Sequence, residues 1–286
     1  MKSIPSILLI IMIAILLCFA GCLQEQEPQT MTDTSREAMH RLLGEATGAI
    51  QATLSNLDAS TSDAATALGT TGLSGPLADR VLNRLAGIHP AILSAVTFDQ
   101  DGTVLSAEPE DAKVLIGQEI SYQEAVSGVL DTKEPLMSKL FPLAQGGYGV
   151  VIEFPVFSAD GTFSGAVSTA FVPYDLIAPI LENATGNTPY SFMVLQTDGR
   201  ILYDPDPEEV GKETLNETLY ADFPEIFDVM SQLSVDRSGH ATYSFYDTGF
   251  GKIVRKECFW ETVGLHGTEW RVMIIREIEK DRVSLS

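Results

Sequence analysis

A chain of 286 residues with 45% hydrophobic content can bury the cores of two ordinary domains. Its 39 acidic residues outnumber 18 basic ones, for a net charge of −21. Such a surface repels nucleic acid and anionic headgroups, so nucleic-acid binding is excluded and a solvated acidic exterior is expected.

The N-terminus reads as an export signal. Lys2 precedes the apolar stretch Ile7–Phe19, and small residues come next in Phe19-Ala20-Gly21-Cys22. The small pair before a cysteine resembles the lipobox of prokaryotic lipoproteins, although Phe19 stands where a Leu-like residue is usual. That resemblance implies that residues 1–21 are removed and that Cys22 becomes a lipidated N-terminus. The alternative is an uncleaved anchor, against which the apolar stretch is short of the about 20 residues needed to cross a bilayer. Loss of Lys2 takes the charge from −21 to −22. Cys18 leaves with the signal and Cys22 carries the lipid, so Cys258 has no intrachain disulfide partner and the fold must rest on its core.

Residues 22–32 are polar and read as a tether. From Asp33 to Leu68 there is no proline, and Met39, Leu43, Ala46, Ile50, Leu57, Ala64 and Leu68 fall at sums of three and four. This is one stripe of a long amphipathic helix, expected to pack on the domains behind it rather than on a second copy. Gly44 and Gly48 argue against perfect continuity. Gly69 to Gly75 should break the helix, and Pro76 opens a second one through about Leu85, so that helices fill residues 33–89.

Beyond these helices the chain repeats one pattern. Residues 94–120 and 191–215 each place Asp-Gly (Asp101-Gly102; Asp198-Gly199) between apolar runs, then an acidic, proline-containing loop and a lone glycine (Gly117; Gly211). Asp-Gly between apolar runs signals a hairpin. Further on, Glu153 to Gly161-Thr162-Phe163 is echoed by Glu257 to Gly267-Thr268-Glu269-Trp270. Matching order at this period means two copies of one module. The first, residues 90–172, should hold strands at 92–98, 103–107, 136–141, 148–157 and 163–172. A short helix from Tyr122 lies among them, opened by Ser121 with Glu124 in a capping box. Residues 173–189 read as a connecting helix kinked at Pro179. The second module, 190–280, repeats the plan with strands at 190–196, 200–203, 239–247, 251–261 and 269–277 and a helix at 223–233, opened by Asp222 with Glu225. The fold class is therefore α+β: a long N-terminal helix and then two PAS-like antiparallel-sheet modules in tandem.

This order resembles the double Cache sensor domain, also called a tandem PDC sensor, over roughly residues 33–277. The local likeness lies in the Asp-Gly hairpin, in Ile116-Gly117-Gln118-Glu119-Ile120-Ser121-Tyr122 and in Phe154-Pro155-Val156-Phe157 with Asp160-Gly161 and Gly165-Ala166-Val167. The resemblance implies an extracytoplasmic sensor that binds an amino acid, amine or carboxylate in the membrane-distal module, here the first. It also implies that the partner is a receptor kinase or chemoreceptor: the chain ends at Ser286 without a second membrane segment, so it is expected not to signal alone. The Arg-x-Trp-Tyr-like cluster that clamps amino acids in one branch is absent near Tyr122, where the residues are Ser121-Tyr122-Gln123-Glu124-Ala125.

The binding candidates in the matching region are Tyr122, Lys139, Tyr148, Glu153 and Asp175. Lys139 suits a carboxylate, and Glu153 or Asp175 an ammonium. Tyr148 and Glu153 fall on opposite faces of one strand by alternation, so at most one faces a pocket. Taken singly, Tyr122 reads more readily as core and Lys139 as solvated than either does as a contact, and Tyr203, Tyr243 and Trp270 read as core. No catalytic, cofactor or metal site is expected: His40, His89, His240 and His266 are scattered, Gly251-Lys252 lacks a phosphate loop, and no Gly-x-Ser-x-Gly is present. Asn183 and Asn216 open glycosylation sequons that matter only in a host that uses them. The leading reading is thus a ligand-sensing lipoprotein. Its rivals are a substrate-binding lipoprotein of an uptake system, which should instead show alternating α/β lobes, and a structural envelope lipoprotein.

Overall fold

The computed structural model describes residues 28–144, 146–215, 221–247 and 251–278. Cys22, the signal segment and Asn216 lie outside them. The first helix, α1 (Pro28–Thr71), runs 44 residues. From Met39 onward the chain forms one compact unit; of the preceding unit, Met1–Ala38, only the helical start of α1 is described. Gly44 and Gly48 do not interrupt α1, because both sit on its exposed face with open space where a Cβ would be. Nor does Gly69 end it. The helix passes that glycine at close quarters with the Phe157 carbonyl, an approach that a Cβ would block, and stops at Thr71. Helix α2 (Pro76–Ala86) comes next, with its proline in the first turn.

The first sheet comprises β1 (Ile92–Phe98), β2 (Val104–Glu108), β3 (Leu136–Met137), β4 (Phe141–Pro142), β5 (Tyr148–Phe157) and β6 (Phe163–Phe171). Its order is β2-β1-β6-β5-β3, with β4 also on β5 and every pairing antiparallel. Helix α3 (Glu124–Thr132) lies between β2 and β3, and α4 (Pro173–Thr185) leads to the second sheet. That sheet comprises β7 (Ser191–Gln196), β8 (Ile201–Tyr203), β9 (Gly239–Tyr246), β10 (Ile253–Leu265) and β11 (Thr268–Ile278), with α5 (Pro224–Val235) between β8 and β9. Its order, β8-β7-β11-β10-β9, repeats that of the first. The α+β duplication read from the sequence is the architecture observed.

The copies agree in their hydrogen bonds. After each Asp-Gly turn the chain returns to the outer strand: Gly117 N–H donates to Val104 O and Ile120 N–H to Gly102 O; Gly211 N–H donates to Ile201 O and Thr214 N–H to Gly199 O. All four glycines have positive φ, between 81° and 86°. A Cβ on Gly199 would also meet Thr214 and Leu215 at 2.9 Å.

Local expectations fail in three places. The predicted strand 136–141 is split, because Met137 O accepts the Thr268 hydroxyl and Leu140 N–H donates to Gln196 Oε1, both in the second module. Ser121 does not cap α3: the helix starts at Glu124 after Gln123, and Ser121 bonds the Glu119 carboxylate instead. Asp222 does not cap α5, which starts at Pro224; Glu225 is taken by Arg255 at 2.5 Å and the Ser244 N–H at 2.7 Å. The connecting helix expected at 173–189 is observed as α4, with Pro179 inside it.

One apolar core joins both modules. Met39, Leu43, Ile50, Leu54 and Leu57 of α1 pack in a single cluster with Val150, Ile152 and Phe171 of the first sheet, Leu176 and Leu181 of α4, and Phe192, Phe259, Trp270 and Ile274 of the second. Each such side chain contributes about 1.5–3 kcal/mol by leaving water. Polar contacts fix the helix on both sheets: Thr61 Oγ1 lies 2.9 Å from Thr169 Oγ1, and Thr47 donates to Glu261 Oε2 at 3.0 Å.

Because Leu54 belongs to a core common to both sheets, Leu54→Ala should cost about 2–5 kcal/mol and shift both modules together as one urea transition; two separated transitions would contradict a shared core. Gly199→Ala should cost about 1–3 kcal/mol from its left-handed backbone and crowded Cβ, read as a lower urea midpoint.

Candidate functional site

With α1 on one face of each sheet, the other faces are left to the covering elements. In the first module the cover is the turn Glu110–Leu115, α3 and the segment through β4. Val126 and Val129 pack with Val96, Phe98 and Ala166, while Ala125 and Leu143 pack with Val151 and Ala170. Glu153 shares the β5 face of Val151, opposite Ser168 on β6 and Leu136 on β3. It is 1% exposed. Its carboxyl takes a hydrogen bond from the Ser168 side chain, but Oε2 has no partner. Burial raises its pKa from 4.5 to about 8, with the Ser168 bond opposing, so near neutrality the group is held protonated.

Glu257, its echo in the sequence, is not its structural counterpart. Glu257 shares a face of β10 with Phe259, which packs in the α1 core, so it lies on the opposite face to the one Glu153 occupies. It is also fully engaged: His240 Nε2 lies 2.8 Å from Oε1, and Arg276 Nε donates to Oε2 at 2.7 Å. Among the described residues, Glu153 alone has a buried carboxyl oxygen without a partner.

The other sequence candidates do not converge on Glu153. Tyr122 is 71% exposed and lies in the turn before α3, not on the helix. Lys139 lies between β3 and β4, exposed, with Nζ 3.7 Å from Asp198 Oδ2 in the second module's Asp-Gly turn. Asp175 is exposed in the first turn of α4. Tyr148, 59% exposed, borders a cleft between the modules of about 450 Å³ with Leu140, Tyr174, Arg200 and Lys212. Both cations of this cleft are already paired, Arg200 with Glu213 and Lys212 with Glu209.

Sequence reasoning missed a cavity of about 340 Å³ in the second module. It lies between the outer sheet face and α5, roofed by the Asp204–Glu209 loop. Tyr243 belongs to its wall as well as to the core, as do Ile226 and Met230. Asp204 lies at its edge, and burial pushes its pKa up to about 6. The acidic, proline-containing loop is visible in the sequence; that it stands off the sheet is not.

Residues 52–173 match the sensor-domain family described as HK/GC/Chemotaxis protein-like. No curated protein matches the sequence. Among solved structures, the chain is similar to an extracellular ligand binding receptor from Desulfohalobium retbaense at 29% identity and a TM-score of 0.70, over 83% of this chain and 40% of that one. The chain therefore spans less than half the length of that receptor. It is also similar to the ligand binding domain of the Pseudomonas aeruginosa amino acid chemoreceptor PctB in complex with L-Gln (16% identity, TM-score 0.60, 87% of this chain and 93% of that one). A third likeness is to the ligand binding domain of PctC of the same organism in complex with GABA (16% identity, TM-score 0.56, 84% and 99%). Two antiparallel modules of one strand order behind a long helix, with residues 52–173 matching a sensor-domain family, support a double Cache sensor domain.

Proposed function

We propose that the chain is a non-catalytic, extracytoplasmic sensing lipoprotein that binds a small organic solute in its first module and passes the bound state to a separate membrane receptor. The observation that supports this most directly is Glu153, a buried carboxyl with an unpartnered oxygen beneath α3. A buried polar atom left without a partner costs free energy comparable to a lost hydrogen bond. A ligand ammonium would supply the partner. Both L-Gln and GABA, held by the PctB and PctC domains, carry one. The side chains packed beside it on that face, Leu136, Leu143, Val151 and Ala170, are apolar, as the walls of small-ligand sites mostly are. Tyr122, Lys139, Tyr148 and Asp175 are exposed away from Glu153 and act, on this reading, only at the surface. An uptake role fits less well, since the sheets are antiparallel rather than the alternating lobes of solute-binding proteins.

Binding of a cation at a protonated Glu153 expels its proton. Calorimetric titration with amino acids and amines at pH 7, in buffers of different ionisation enthalpy, should show proton release for the ligand that binds. Glu153→Gln should weaken that ligand about tenfold or more and abolish the release. A panel with no binder at all would favour a structural envelope role.

The same carboxyl sets a stability profile for the unliganded protein. Its folded pKa, about 8, lies above the ordinary 4.5, so the folded state binds more protons between these values. The contribution is fully present below pH 4.5 and is lost as pH rises toward 8, by on the order of 1 kcal/mol per pH unit at most. Glu153→Gln should flatten this fall in urea titrations at pH 5 and pH 8; an unchanged slope would place the carboxyl in contact with water.

Anchoring is tested apart from binding. Cys22→Ser should eliminate incorporation of labelled fatty acid and move the protein from the detergent phase to the aqueous phase. Retention in the detergent phase would point to an uncleaved anchor.

A further inference from the structure

The cavity of the second module is a separate site from the one proposed around Glu153. Its volume, about 340 Å³, falls at the lower end of small-molecule pockets, and its inner wall is apolar and aromatic, with Met230, Tyr243 and Phe245. Four carboxylates line it, Asp204, Asp206, Glu209 and Asp247, against one ammonium, Lys256.

Three of the carboxylates are engaged within the fold. Asp206 accepts the Glu208 N–H, Glu209 pairs with Lys212 at 2.7 Å, and Asp247 accepts the Gly251 N–H at 2.7 Å. Lys256 Nζ stands over the Phe245 ring at 5.7 Å. Asp204 is different. Its Oδ1 accepts the Asp206 N–H at 2.8 Å, and among the described residues no other hydrogen bond or ion pair reaches the carboxyl. It is therefore half-buried on the lining of the cavity, with Lys256 the one cation acting on it and that one beyond ion-pair distance. The acids are not arranged for a metal: no group of three or more His, Cys, Asp or Glu among the described residues is placed to hold one. The species that completes this site carries one positive charge on an apolar body, and aromatic walls add cation–π attraction.

We infer that the second module binds a small organic ammonium ion, its nitrogen on Asp204 and its apolar body against Met230, Tyr243 and Phe245. The sensor then has two ligand sites, one in each module.

The test uses the full chain, with phenethylamine and tetramethylammonium as probes and phenylacetate as a body of similar shape with the opposite charge. The ammonium probes should raise Tm by about 2–5 °C at saturation, and phenylacetate should not. Asp204→Asn removes an ill-compensated, half-buried charge and should fold at least as stably, yet bind the amines about tenfold more weakly or worse. Met230→Trp fills the cavity and should abolish the response. Three results would overturn the inference: no shift with either ammonium, an equal shift with phenylacetate, or amine binding that survives both substitutions. The last would assign the amine to the first module and leave the Glu153 reading standing.

Discussion

The structure depends on α1 lying across both sheets. A two-module chain without disulfides among its described residues must be held by burial, and neither sheet can close a core alone when one face is left bare. The helix covers one face of each, so a single cluster runs from Met39 and Leu57 through Phe171 to Trp270 and Ile274. α4 sits in the same cluster through Leu176 and Leu181, which ties the link between modules to the core they share. A change that reorients one sheet on this helix is therefore felt by the other, since packed interiors transmit strain.

The same arrangement determines where chemistry is possible. The α1 face is filled by large apolar side chains, and its buried acid, Glu257, is paired with Arg276 and in hydrogen-bond contact with His240. The opposite faces carry only short covers, and it is there that Glu153 and Asp204 go without a salt-bridge partner among the described residues. Glu153 lies under α3, and Asp204 lies beside the second module's cavity. Duplication thus produced two equivalent outer faces that have diverged. The first is closed over a buried acid; the second is open and rimmed by acids.

Much of the fold was legible in the sequence because it is written in local signals. The Asp-Gly turns, the helical stripe on α1 and the strands at Ile92–Phe98 and Tyr148–Phe157 were placed by turn chemistry and periodicity. Failures came where another side chain or backbone group took over a local one. Ser121 was drawn to Glu119 and Glu225 to Arg255, and the 136–141 strand was divided by Thr268 and Gln196. The site was less legible than the fold. Alternation separated Tyr148 from Glu153 correctly, but nothing local distinguishes a buried Glu153 from a compensated Glu257, since the difference rests on Ser168 in one case and Arg276 in the other. The cavity beside Asp204 was illegible because its volume depends on how far a loop stands from a sheet.

The paired return loops have a further effect. β2 and β8 are outermost strands, and exposed strand margins invite other chains to add on. At Gly117 and Gly211 the chain doubles back and takes hydrogen bonds of Val104 and Ile201 for itself. Each module in this way occupies part of its own open border, which guards the protein against stitching itself to its neighbours.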